Sequence, residues 1–184
     1  MSMSSIFLRY YIRDKNSKLK NTAYVDNSYK WAGGGMISTP SDLLKFANAM
    51  LHSYQQETQA ADKTVERRGY LQPETVKNLW TINEKTQKKN GGYGLGWFVV
   101  PALKNRFGSI SEKPFYVYHT GGAIGACSVL LILPRAEVKG HEKVKFTPAP
   151  CSTPHGVSVA IICNLQGINF EPVAFKIAQE FLKC

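Results

Sequence analysis

His119, Thr120, Gly121 and Gly122 follow directly on the alternating apolar run Phe115-Tyr116-Val117-Tyr118. An imidazole, a hydroxyl and two glycines at the end of a strand suit one kind of chemistry. The side chains face a ligand, and glycine lets a ligand's backbone come close. The charge on His119 is set by its surroundings, because an ordinary imidazole titrates just below pH 7.

A nucleophile to go with these four residues is hard to find. A lysine-activated serine belongs at the start of a buried helix, with the lysine one turn later on the same face. Ser17-Lys18-Leu19-Lys20 has that spacing, but it lies in Asp14-Lys15-Asn16-Ser17-Lys18-Leu19-Lys20-Asn21, which is almost devoid of apolar residues. Tyr24-Val25-Asp26 carries an acid where Tyr-x-Asn would need an amide. No Gly-x-Ser-x-Gly elbow is present, which excludes an α/β-hydrolase. Gly92-x-Gly94-x-Gly96 has the wrong spacing for a dinucleotide loop and precedes a strand instead of following one. His141-Glu142 has no second histidine at helical spacing, so neither a metal nor another cofactor is expected.

The elements that must position the four residues are legible in outline. Residues 9–30 are polar and tyrosine-rich and read as irregular, leading into Trp31-Ala32-Gly33-Gly34-Gly35. Thr39 is an N-cap with Pro40 at the first helical position and Asp42 in the first turn. Leu43, Phe46, Ala47, Met50 and Leu51 then recur at helical spacing, and the helix is expected to end near His52. Residues 53–70 read as a surface loop. Pro73 opens a short second helix with Val76, Leu79 and Trp80 on one face. A glycine-rich strand is expected over 93–100. A hairpin follows, with arms at 115–119 and 128–133 around the glycine turn. Residues 134–154 read as a variable loop. Residues 157–163 form a strongly β-prone run, continuous enough to be expected as a central buried strand. Residues 170–182 close the chain as an amphipathic helix bearing Val173, Phe175, Ile177, Ala178 and Phe181. No helix separates the strands, so neighbouring strands should be antiparallel. The last helix should cover one sheet face, and the earlier helices the other face or a second lobe.

Composition narrows the function further. The 184 residues suit one domain or a large part of one, and a 43% hydrophobic share is ordinary for a globular chain. No apolar run approaches the roughly 20 residues of a membrane span. The first residues show neither a secretory signal nor a transit peptide, so no targeting segment is expected in this chain. The net charge of +10 raises nucleic acid or an anionic membrane as partners. However, Lys15, Lys18, Lys20, Arg67-Arg68, Lys85, Lys88, Lys89, Lys104, Arg106, Lys139, Lys143 and Lys145 are scattered through polar segments. They neither line one helix face nor alternate with aromatics, and no specific nucleic acid is expected. Cys127, Cys151, Cys163 and Cys184 include no Cys-x-x-Cys pair and read as reduced thiols.

Trp31-Ala-Gly-Gly-Gly35, Ser38-Thr-Pro-Ser-Asp-Leu43, Tyr93-Gly-Leu-Gly-Trp97, His119-Thr-Gly-Gly122 and Cys163-Asn164 occur in that order. This ordered set resembles the C-terminal half of the serine β-lactamase-like family, which includes class C β-lactamases and D,D-peptidases. The similarity runs from about residue 8 to the end. The resemblance implies an α+β chain: a partial β-lactamase/transpeptidase-like fold with an antiparallel sheet and flanking helices. The family's N-terminal strands and nucleophile helix would not be part of it. Residues 1–30 would be a polar lead-in and 31–184 the C-terminal part of the domain.

The resemblance also implies acyl-serine peptidase or amidase chemistry in the full-length relative. His119 would take the place usually held by lysine, hydrogen-bonding the general base or a substrate carboxylate. Thr120 would offer its hydroxyl to substrate, and Gly122 one backbone N–H of the oxyanion hole; these three are the candidate catalytic residues. Gly121, the candidate substrate-binding residue, would allow close approach. The implied partner is a peptide or amide substrate, with a homo-oligomer admitted, and the implied setting is the mitochondrion. Without a nucleophile the isolated chain should be inactive. The alternative is a non-catalytic assembly module derived from the same fold.

Overall fold

The computed structural model describes residues 9–56, 70–103, 113–135 and 154–183. Most of the two loops expected at 53–70 and 134–154 lies outside the described residues. So do Arg67-Arg68, Lys104, Arg106, Lys139, His141-Glu142, Lys143, Lys145, Cys151 and Cys184.

The centre is a five-stranded sheet in which every neighbouring pair is antiparallel, as expected for strands without intervening helices. Its strands are β3 (Gly92–Tyr93), β4 (Phe98–Val100), β5 (Tyr116–Ala123), β6 (Ala126–Pro134) and β7 (Gly156–Cys163), in sequence order across the sheet. A separate pair, β1 (Tyr11–Arg13) and β2 (Leu19–Asn21), precedes them. The helices are α1 (Pro40–Gln55), α2 (Pro73–Leu79) and α3 (Glu171–Phe181).

Side chains alternate across the sheet, and the two faces build two cores. On one face Val99, Val117, Leu130 and Ile132 pack with Ala47, Met50, Leu51, Val76, Trp80 and Trp97 under α1 and α2. On the other face Val100, Tyr116, Val129, Leu131, Leu133 and Val159 pack against Ala174 and Ala178 of α3. The chain is thus a mixed α+β unit with helices on both faces of its sheet. Truncating a fully buried core residue such as Leu131 should cost about 2–5 kcal/mol.

Four readings of the sequence are corrected. Residues 9–30 are not wholly irregular, because the β1–β2 hairpin forms within them. Its turn is organised by Asp14, whose Oδ1 accepts from the amides of Asn16 and Lys18, and by Ser17 in the left-handed region at φ 61°. The glycine-rich stretch over 93–100 is not one strand but the hairpin β3–β4. Gly94 N–H donates to the Trp97 carbonyl at 2.9 Å, and Gly96 makes the turn at φ 78°. The apolar run 157–163 is not central, for β7 is the edge of the sheet. Apart from Ser158 it is apolar, because α1 and α3 lie over its two faces. Finally, α1 runs past His52 to Gln55. The Gln55 side-chain amide holds the backbone of His155 in both directions, donating to its carbonyl at 2.5 Å and accepting from its N–H at 2.8 Å.

The N-cap of α1 is as expected: Thr39 Oγ1 accepts from Asp42 N–H at 3.2 Å. The three glycines after Trp31 form a single helical turn with none in the left-handed region. A Cβ on Gly35 would meet the Trp31 indole, which explains that glycine by packing.

Candidate functional site

His119, Thr120, Gly121 and Gly122 lie inside β5, not in a turn. The strand continues to Ala123, which pairs with Ala126 across the two-residue loop Ile124-Gly125. Gly125 takes φ 80° there. All four residues are exposed.

Strand alternation divides them. His119 and Gly121 share a face with Val117, whose side chain enters the α1–α2 core. Thr120 and Gly122 share the face of Tyr116 and Tyr118, on the α3 side. The main chain alternates too. The pair closing a two-residue hairpin loop exchanges both of its hydrogen bonds. Val117, His119, Gly121 and Ala123 therefore turn their amides toward β6. Tyr118, Thr120 and Gly122 turn theirs to the opposite edge. On that edge β4 covers only Tyr116 to Tyr118. Among the described residues, the amides of Thr120 and Gly122 thus project from a length of strand that no other strand covers.

The two glycines have different reasons to be glycine. Gly121 stands opposite Ser128, and a Cβ there would collide with Ser128 Oγ. Gly122 has no left-handed φ, and a Cβ there would meet nothing within 4 Å. Neither sterics nor backbone conformation within the described residues demands glycine at 122.

A cleft of about 730 Å³ opens beside this edge. Thr120, Gly121 and Gly122 line it with Tyr93, Tyr118, Lys30 and Lys88, while its floor continues to Gln166 and Asn169. His119 is not part of the lining. Its ring packs edge-on against Tyr93 at 6.1 Å. Burial pushes the Tyr118 phenol up to about 12, helped by the nearby charges of Glu171 and Tyr93, so it stays a hydrogen-bond donor at neutral pH.

Sequence reasoning missed Lys30, Lys88, Tyr118 and Gln166 as cleft residues. Tyr118 carried a signal, since it directly precedes the motif on a strand. The others come from loops, and only the fold brings them here. Gln166 holds the β5–β6 turn, accepting from Gly125 N–H at 3.1 Å.

Ser17-x-x-Lys20 has the wrong geometry for a nucleophile and its base. Ser17 sits in the β1–β2 turn, and Lys20 lies in β2 with its ammonium 3.3 Å from Asp14. Cys127 and Cys163 are free thiols directly opposite each other on β6 and β7. Cys127 is buried and accepts from Ile168 N–H at 3.4 Å. Among the described residues, no helix is long and apolar enough to cross a membrane.

The sequence matches the family model described as Beta-lactamase over residues 8–180. It is 45% identical over 178 residues to the mouse (Mus musculus) serine beta-lactamase-like protein LACTB, mitochondrial, a match covering 95% of this chain and 31% of that protein. The human (Homo sapiens) protein of the same name is 46% identical over 178 residues, with the same coverage. The chain therefore spans about a third of the length of these curated relatives. With its ordered motifs, its antiparallel sheet and a family match over nearly its whole length, the chain belongs to the beta-lactamase family.

Proposed function

We propose that this chain forms the strand wall of a serine acyl-transfer cleft that cuts an amide in a peptide, with the nucleophile supplied from outside these 184 residues. The observation that carries this reading is Gly122. Its amide projects from an uncovered strand edge, and its own surroundings give no reason for a glycine. A strand edge of that kind accepts an extended peptide as an added strand, with main-chain hydrogen bonds giving the alignment.

In the proposed reaction a serine hydroxyl attacks the substrate carbonyl. The general base takes the serine proton, and the carbonyl oxygen becomes an oxyanion to which the Gly122 N–H donates. The C–N bond then breaks as the base returns the proton to the leaving amine, and water hydrolyses the acyl-serine. The Thr120 hydroxyl hydrogen-bonds the substrate alongside. His119, on the other face of β5, hydrogen-bonds the general base. Gly121 keeps the edge thin enough for the substrate main chain. The described residues then constitute part of the family's domain: the rest of its sheet would join at the outer edge of β7, and its nucleophile helix would pack beside the uncovered length of β5. The names of the relatives make the mitochondrion the proposed setting.

A second reading, a non-catalytic assembly module, is favoured by one observation. Val173, Ile177 and Phe181 form an exposed apolar stripe along α3.

Covalent labelling with a fluorophosphonate or a penicillin separates these readings. The isolated chain should not be labelled, and Ser17 in particular should stay free. The chain joined to the upstream part of the mouse relative should be labelled on a serine of that upstream part and should hydrolyse a peptide amide. A joined protein that folds but neither labels nor hydrolyses would overturn the catalytic reading in favour of the assembly module. Stoichiometric labelling at Ser17 in the isolated chain would overturn both.

A further inference from the structure

The free thiols Cys127 and Cys163 are direct partners in the β6–β7 register. On β6, Ala126 and Ser128 turn their main chain toward β5, so Cys127 turns its own toward β7. Arg135, an even number of residues further on, agrees with this, since its N–H donates to the His155 carbonyl at 3.0 Å. Cys127 and Cys163 are therefore a hydrogen-bonded pair, for which the Cα atoms stand about 5.5 Å apart. That separation is within the range disulfides span. Both side chains point to the α3 face, the one that carries Val129, Leu131 and Val159.

The surroundings of the pair are uneven. Cys163 is half-buried, whereas Cys127 is only 7% exposed. Cys127 nevertheless lines the cleft, and Ile168 N–H donates to its sulfur at 3.4 Å. Across the other ladder Cys127 stands opposite Gly122 of β5. One residue thus links the thiol pair to the strand motif. Cβ atoms of a hydrogen-bonded pair stand about 5.5 Å apart, against about 4 Å in a disulfide. Closing a bond between these sulfurs therefore draws the two strands together. Cys163 is the last residue of β7, and a ladder end can make that adjustment. A bond closed under such strain is also readily reduced again.

We propose that Cys127 and Cys163 form a modification site, a dithiol that a hydroperoxide oxidises to a cross-strand disulfide, displacing the Gly122 segment. The site does not depend on the catalytic reading of the cleft. Cys163, the more accessible sulfur, attacks one oxygen of hydrogen peroxide as the thiolate. The O–O bond breaks, giving a sulfenic acid and, with the thiol's proton, water. The Cys127 sulfur then attacks the sulfenic sulfur, the S–O bond breaks, and a second water leaves with the Cys127 proton. The two thiols lose two electrons and two protons, and the peroxide is reduced to two waters. Two molecules of a small thiol reverse the bond by exchange, leaving as their own disulfide.

The test treats the natural chain, folded and dilute, with hydrogen peroxide and reads its intact mass without reductant. The monomer should lose two hydrogens, and its digest should contain a peptide pair linked through Cys127 and Cys163. Dithiothreitol should restore the starting mass. Cys127→Ser should stop at the sulfenic acid, trapped by dimedone on Cys163, and Cys163→Ser should show no dimedone on Cys127. Melting curves verify that both variants fold, and Cys127→Ala and Cys163→Ala give the same readout where serine is not tolerated. The amide NMR signals of Gly122 and Ala123 should move on oxidation and return on reduction. Links from either cysteine to Cys151 or Cys184, links only between molecules, or sulfinic acid without any link would each overturn the site. A Cys127–Cys163 link that leaves the Gly122 signal in place would overturn its reach into the cleft.

Discussion

Tyr116 donates a 2.7 Å hydrogen bond to Oε1 of Glu171, tying the start of β5 to the first turn of α3. Tyr116 is almost wholly buried, stacked on Phe175 at 4.5 Å and on Tyr118 at 6.0 Å. The acid also sits where a helix N-terminus favours negative charge. The strand carrying the candidate site is thereby fixed to the helix beneath it. The same contact raises the Tyr116 pKa, through burial first and the Glu171 hydrogen bond second.

Tyr116→Phe should lower stability by about 1–2 kcal/mol, since it removes one hydrogen bond to a charged group and little packing. The effect should depend on pH. Unfolded tyrosine ionises near 10, while folded Tyr118 is pushed up to about 12 and Tyr116 is raised as well. Their contribution is therefore intact below about pH 10 and is lost as pH rises through the folded values. Thermal melts between about pH 9 and pH 12 should fall steeply for the natural chain and more gently for Tyr116→Phe and Tyr118→Phe. Parallel curves would contradict this.

His119 gives the second prediction. It is exposed, and its one ring contact among the described residues is the edge-on approach to Tyr93 at 6.1 Å. His119→Ala should cost the fold no more than about 1 kcal/mol. In the protein joined to the nucleophile-bearing part, turnover should fall by about 10²–10⁴-fold, the range for a positioned proton-handling group. A large fall in melting temperature with unchanged specific activity would mark His119 as a packing residue instead.

The sequence carried the elements more clearly than their edges. Thr39-Pro40 placed the start of α1, and the spacing of Val76 and Trp80 placed the buried face of α2, because capping and periodicity are local. Three features were not local. β7 reads as central because both of its faces are apolar, yet an edge strand covered by α1 and α3 has the same pattern. Residues 93–100 read as one strand because a two-residue turn leaves the apolar run unbroken. The hairpin at Tyr11–Asn21 is held by the Asp14 side chain, a turn signal that polarity alone conceals. For the candidate site, the strand motif was legible, and the cleft around it was not. Lys30, Lys88 and Gln166 approach Thr120 only through long-range folding.

The third prediction concerns α3. Its sheet-facing side buries Ala174 and Ala178, while Val173, Ile177 and Phe181, four residues apart, are exposed at 48%, 36% and 66%. Among the described residues, the outer edge of β7 pairs with no other strand of the sheet. Apolar stripes and open edges of this kind associate. The isolated chain should sediment as a concentration-dependent mixture of monomer and larger species. Val173→Ser, Ile177→Lys and Phe181→Glu together should shift it toward monomer without lowering the melting temperature. A monodisperse natural chain that unfolds cooperatively and binds little hydrophobic dye would contradict this.

The Gly122 amide is the most direct test of the catalytic account. It faces the open edge of β5, and proline is tolerated where a strand's N–H faces outward. Gly122→Pro therefore removes the donor while leaving the fold in place, which a melting curve and the amide spectrum of the β5–β6 hairpin can verify. The measurement is kcat for peptide amide hydrolysis by the chain joined to the upstream part of its relative, with and without this substitution. Loss of one oxyanion donor predicts a fall of about 10²–10³-fold in kcat with KM little changed. A folded Gly122→Pro protein that turns over at the natural rate would contradict the account, because β5 would then contribute no oxyanion donor.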